Sequence, residues 1–128
     1  MTIFTKIINQ EIPSYKIFEN DLVYAFLSRE QINLGHTLIV PKIEVDYFVD
    51  VPEPYYSEVF RLAKIISTAI KVSTGCSRVG LEVLGFEVPH FHLHLIPLES
   101  ISDISKVAKV FNENECNKIR DLIIQNLR

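Results

Sequence analysis

Three of the chain's four histidines, His90, His92 and His94, occupy alternate positions in the run Pro89–Pro97, "PHFHLHLIP". On a strand, side chains two residues apart share a face at roughly 6.5–7 Å, so these imidazoles form a row while Phe91, Leu93 and Leu95 face the other way. A row of imidazoles supports two chemistries, metal binding and acid–base or nucleophilic catalysis. Two of these histidines with His36 from another strand could make an open zinc site. Against it, strand rise puts His90 and His94 roughly 13 Å apart, far beyond what Zn–N bonds of about 2.0–2.1 Å can share, so one histidine has no use. Catalysis at phosphorus uses all three. A neutral imidazole can attack phosphorus, and a neighbouring imidazolium can stabilise charge and protonate the leaving atom. The middle ring, His92, then faces the phosphate with a neighbour on either side.

The elements that must hold this row are legible from pattern. A short helical turn near Phe4–Ile8 precedes strands at 15–19, 23–28 and 36–41, separated by the turn signals Asn20-Asp21 and Asn33-Leu34-Gly35, which reads as an antiparallel meander. From Pro54 to Ser73 the polar residues Ser57, Arg61, Lys64, Thr68 and Lys71 recur every three or four positions as one narrow stripe, and Gly75 is placed to end the helix. The remaining circumference is apolar, more than one sheet can cover, which predicts a second surface for this helix and favours another subunit. Strands follow near Arg78–Leu84 and Val88–Leu98. The stretch from Asn112 onward reads as a C-terminal helix packing through Cys116, Ile119, Ile123 and Leu127, with Asn112 or Asn114 as cap.

With 128 residues, 48% hydrophobic and 23% charged, the chain reads as one α+β domain, 1–128, able to bury its own core. A net charge of −3 and a pI near 5.8 offer no clustered positive charge for a nucleic-acid partner. No run approaches the roughly 20 apolar residues of a membrane span, and the first residues lack a signal-peptide pattern, so the expected location is cytoplasmic and no membrane partner is expected. Cys76 and Cys116 are far apart and outside any C-x-x-C, and read as buried small hydrophobes.

"VPHFHLHLIPL" resembles the His-x-His-x-His signature of the histidine triad (HIT) superfamily of nucleotidyl hydrolases and transferases, its nucleoside phosphoramidase branch above all. "IFTKIINQEIPSYKIFENDLVYAFLS", "GHTLIVPK" and "GFEVPH" are similar to that family's N-terminal segment, its Gly-His strand and its approach to the triad. The resemblance implies an α+β HIT-like fold of about five antiparallel strands with one long central helix and a C-terminal helix. It also implies a homodimer whose sheets join, and a substrate carrying a purine nucleotide, an AMP or GMP moiety.

Carried over position by position, the resemblance makes His92 the nucleophile, His94 the contact to phosphate and leaving atom, His90 the residue that holds the nucleophile's geometry, and His36 the fourth histidine of the site. Ile3, Phe4, Ile7, Phe26 and Leu27 match a base pocket, Ser28 and Arg29 the ribose neighbourhood, and Gly85, Phe86, Glu87 and Val88 the loop whose amides approach the phosphate. Some family positions are changed. Thr2 and Thr5 stand where some members carry a zinc-binding Cys-x-x-Cys, and Glu44 where a histidine is frequent, so no metal or cofactor is carried over. Ser28 replaces an Asp that grips the ribose hydroxyls, Phe86 replaces a Gln before the phosphate loop, and the usual phosphate-contacting Asn is missing.

Overall fold

In the computed structural model, which describes residues 1–127, strands β1 (Lys16–Glu19), β2 (Val23–Leu27), β3 (Thr37–Pro41), β4 (Arg78–Glu82) and β5 (Leu93–Leu98) form one antiparallel sheet. Their order is β1-β2-β3-β5-β4, so the meander read from sequence is extended by β5, which crosses to pair with β3. Helix α1 (Ile3–Ile8) lies on one side of the sheet; α2 (Tyr55–Thr74) and α3 (Glu113–Gln125) lie on the other.

Alternation along the strands sorts the side chains between two apolar clusters. Val23, Ala25, Leu27, Ile39, Leu93 and Leu95 join Val59, Leu62, Ala63, Ile66 and Ile70 of α2 and Cys116, Ile119 and Ile123 of α3 in the main core. Tyr24, Phe26, Leu38 and Val40 point the opposite way and pack with Phe4 and Ile7 of α1. The strand registers Phe26↔Leu38, Leu38↔His94 and His94↔Glu82 set one transverse row across this second face.

Helix α2 ends where Gly75 takes the left-handed conformation (φ 71°), and the Asn112 side chain accepts from Glu115 N to cap α3. The second surface that α2 needs comes from within the chain. α3 packs along it, with Asn126 Nδ2 donating to Ser73 Oγ at 3.0 Å, and of the surplus apolar residues only Tyr56 (37%) and Val72 (65%) are exposed. α3 therefore covers much of the breadth of α2, and Tyr56 and Val72 are what it leaves exposed. Exposed apolar side chains also lie at the sheet edge, with Leu81 at the end of β4 and Leu84 just beyond it. Among the described residues no helix is long and apolar enough to cross a membrane.

The strand expected over Val88–Leu98 begins only at Leu93. Its would-be neighbour in β3 is Pro41, which has no N–H to continue the ladder, and Pro89 lacks one too. Other partners take over: the His90 side chain, through Nε2, donates to the Pro41 carbonyl at 2.8 Å, and Phe91 N leaves the ladder to reach Val45 O at 2.7 Å. His90 and His92 thus sit on an irregular approach to β5, and His94 alone is in the strand.

Candidate active site

The imidazoles remain clustered although only one is on a strand. His92 and His94 have ring centroids 5.0 Å apart, His94 and His36 are 5.1 Å apart, and Phe4 of α1 packs edge-on against His92 at 4.9 Å and His90 at 5.7 Å. His36 enters from the turn before β3, where Gly35 adopts φ +108° and a Cβ would lie 3.0 Å from Thr74 and 3.3 Å from Pro97. Glycine lets this turn approach the end of α2 closely enough to place His36 beside His94. Buried Gln31 braces the turn: its Oε1 accepts from Gly35 N at 2.9 Å and its Nε2 donates to Cys116 Sγ of α3.

Hydrogen-bond partners fix the proton on each ring, because a carbonyl only accepts and an amide N–H only donates. Ile32 N donates to His36 Nδ1 at 3.1 Å, so the His36 proton is on Nε2, which donates to His94 Nδ1 at 2.8 Å. His94 then carries its own proton on Nε2. His92 Nδ1 donates to the carbonyl of His90 at 2.8 Å, leaving a lone pair on His92 Nε2. His90 Nε2 donates to Pro41 O, so its Nδ1 accepts. A free imidazole lone pair and an N–H donor stand side by side.

Burial favours the neutral form of His36, His94 and His90. His36 is pushed down to about 3, by burial first and the neighbouring His94 second; His94 is pushed down to about 4, by burial and then His92. His90 is lowered as well, chiefly by burial, with the Pro41 carbonyl and Glu44 opposing.

The structure brings Phe4, Ile7 and Phe26 together beside the histidines, with Val88 against them. Leu27 alternates to the opposite face and belongs to the main core; Ile3 and Arg29 are exposed, as are Phe86 (94%) and Glu87 on the loop after β4. Gly85 on that loop has φ +84°. Ser28 is half-buried, and its hydroxyl donates to Glu30 O at 2.7 Å, so only its lone pairs remain for a ligand. Sequence reasoning missed Leu38, which the Leu38↔His94 register places beside the histidines in the same apolar cluster as Phe4 and Phe26, and Thr2, whose Oγ1 lies 2.7 Å from His90 Nδ1. The alternation Leu38-Ile39-Val40 held the first signal; no local signal marks the second. Among the described residues no three His, Cys, Asp or Glu side chains converge as metal ligands.

Comparison with known proteins agrees with this arrangement. Residues 9–101 match the HIT domain family. The chain is 38% identical over 102 residues to an uncharacterized HIT-like protein of Borreliella burgdorferi, covering 74% of this chain and 73% of that one. It is also 38% identical over 96 residues to the adenosine 5′-monophosphoramidase HNT1 of Saccharomyces cerevisiae, covering 74% of this chain and 61% of the yeast protein. The crystal structure of a Hit-like protein involved in cell-cycle regulation from Bartonella henselae superposes with a TM-score of 0.87 at 26% identity, covering 98% of this chain and 96% of that one. With its clustered histidines, its antiparallel sheet and this match over most of its length, the chain belongs to the HIT domain family.

Proposed function

We propose that the protein is a nucleotide hydrolase that cleaves at the α-phosphorus of a nucleoside phosphoramidate or a related nucleotide conjugate. The observation that carries this reading is the lone pair on His92 Nε2 next to the Nε2–H of His94. His92 attacks phosphorus, the bond from phosphorus to the leaving group breaks with its electron pair on the departing atom, which is protonated, and water then hydrolyses the nucleotidyl-histidine. His94 donates its N–H toward the phosphoryl oxygen or the departing atom, and the amides of Gly85–Val88 approach the phosphate from the other side. The aromatic edges of Phe4 and Phe26, 5.9 Å apart, together with Ile7, take the purine. Support for the substrate class comes from the likeness to the yeast monophosphoramidase.

The test is a burst experiment with a fluorogenic adenosine phosphoramidate on the wild type and His92→Ala. We expect turnover in the wild type, an acid-trapped label on a peptide containing residues 90–94, and loss of turnover in His92→Ala with AMP binding kept within roughly tenfold. Tight AMP binding by a wild type that turns nothing over would replace the enzyme by a nucleotide-binding module. Ser28, whose hydroxyl is already engaged, and the outward Phe86 favour that second reading. We further infer a homodimer joined along the β4 edge through Leu81 and Leu84; sedimentation at the 14.7 kDa mass of one chain would refute it.

A further inference from the structure

One hydroxyl connects the N-terminal turn to the histidine row. Thr2 is the N-cap of α1, and its Oγ1 accepts from Thr5 N at 3.2 Å. The same oxygen lies 2.7 Å from His90 Nδ1. Because His90 Nε2 gives its proton to the Pro41 carbonyl, Nδ1 of the neutral ring holds a lone pair and the Thr2 hydroxyl must be the donor. The Thr5 hydroxyl does not compete as a donor, since it donates to Glu44 Oε1, which also accepts the Thr2 backbone N–H at 2.7 Å. The Thr2 proton has a second acceptor in Thr5 Oγ1 at 3.3 Å, but His90 Nδ1 is closer and, unlike Thr5 Oγ1, has no other hydrogen bond.

We propose that Thr2 is a positioning residue for the nucleophile, acting through His90. Its hydroxyl and the Pro41 carbonyl hold the His90 ring at both nitrogens, and the His90 main-chain carbonyl in turn holds His92 Nδ1. Phe4, two residues along the same helix, presses on both rings, so one turn of α1 supplies a polar and an apolar constraint together. Without the hydroxyl, His90 Nδ1 becomes a buried acceptor with no donor, and its ring is free to turn or to exchange tautomers. The residue whose carbonyl orients His92 is then held by its main-chain bonds alone, His90 N to Val88 O and Phe91 N to Val45 O. This inference rests on the reading of His92 as nucleophile.

Three variants of the full chain test it: Thr2→Val, which keeps the shape and removes the hydroxyl; Thr2→Ala, which does so without a branched side chain; and Thr2→Ser, which keeps the hydroxyl. With the fluorogenic adenosine phosphoramidate, Val and Ala should lower kcat about tenfold or more, with KM within about twofold, as expected for a misplaced reacting group. Ser should restore kcat to within about twofold of the wild type. Imidazole ¹⁵N–¹H spectra without substrate should show a single Nδ1–H tautomer at His92 in the wild type and a mixture in Val and Ala. Wild-type kcat in either apolar variant, a serine variant as slow as valine, or an unchanged His92 tautomer would overturn the proposal. A wild type without turnover refutes the proposed hydrolase, and the tautomer spectra still decide the role of Thr2.

Discussion

Lowering the pH should destabilise this protein through its buried histidines, His36 and His94 above all, before its carboxylates contribute. A histidine whose folded pKa lies below its unfolded value stays neutral in the fold and takes up a proton on unfolding, so stability rises with pH between the two values. For His36 that window runs from about 3 to 6.5. At pH 5 the cost relative to pH 8 is about 2 kcal/mol, since each pH unit inside the window is worth about 1.4 kcal/mol per proton. His94, pushed down to about 4 and less deeply buried, adds somewhat less in the same direction. Geometry gives the same sign. Protonating His36 Nδ1 would break its bond from Ile32 N–H, and protonating His94 Nδ1 would break its bond from His36. Glu19, Glu44, Glu53, Glu58 and Asp103 all have carboxyls held below their ordinary values by hydrogen bonds and cations, so their contribution is present above about pH 4.5 and is lost only below it. Urea unfolding at pH 8, 7, 6 and 5 should therefore show a loss on the order of 3–4 kcal/mol, a large part of the 5–15 kcal/mol typical of a domain. His36→Gln should remove about half of the slope. Stability that is flat from pH 7 to 5, or a slope unchanged in His36→Gln, would refute the neutral, hydrogen-bonded pair.

Gly35→Ala should cost about 1–3 kcal/mol in urea unfolding, because alanine is strained at φ +108° and its methyl would press on Thr74 and Pro97; a loss under about 0.5 kcal/mol would mean that the turn adjusts freely. The wild type should treat ribo- and 2′-deoxyribo-nucleotide substrates alike within about fivefold in kcat/KM, since the Ser28 hydroxyl is already donated to Glu30 O, and Ser28→Asp should widen the gap. A wild type that prefers ribose a hundredfold would remove Ser28 from the sugar site.

The parts of the fold that sequence reveals are those decided locally. The alternation of Val23 to Leu27 sorts side chains to two faces, Gly75 ends α2, and Asn112 caps α3, each by a rule that needs only neighbouring residues. The grouping of the histidines is legible for the same reason, as their spacing is short. The irregular approach at 88–92 is not, since it depends on the missing N–H of Pro41, a residue 49 positions from His90. Thr2 is hidden likewise, being 88 positions from the ring it serves. The breadth of α2 was a correct signal of a second surface, but only the fold could show that α3 supplies it. Leu27 illustrates the limit of carrying a pocket over by position, because a single step along a strand exchanges pocket for core.

The bracing of Gln31 by α3 bears on how this protein could be cut or recombined. The segment that carries the family match, 9–101, contains all four imidazoles, yet three of their supports lie outside it: Thr2 and Phe4 before its start and Cys116 after its end. A transplant of 9–101 alone would carry every reacting atom and leave behind the donor to His90 and the sulfur that receives the Gln31 amide. The flanks are therefore scaffolding that a chimera can exchange, offering a means of altering the stiffness of the imidazole row without touching an imidazole.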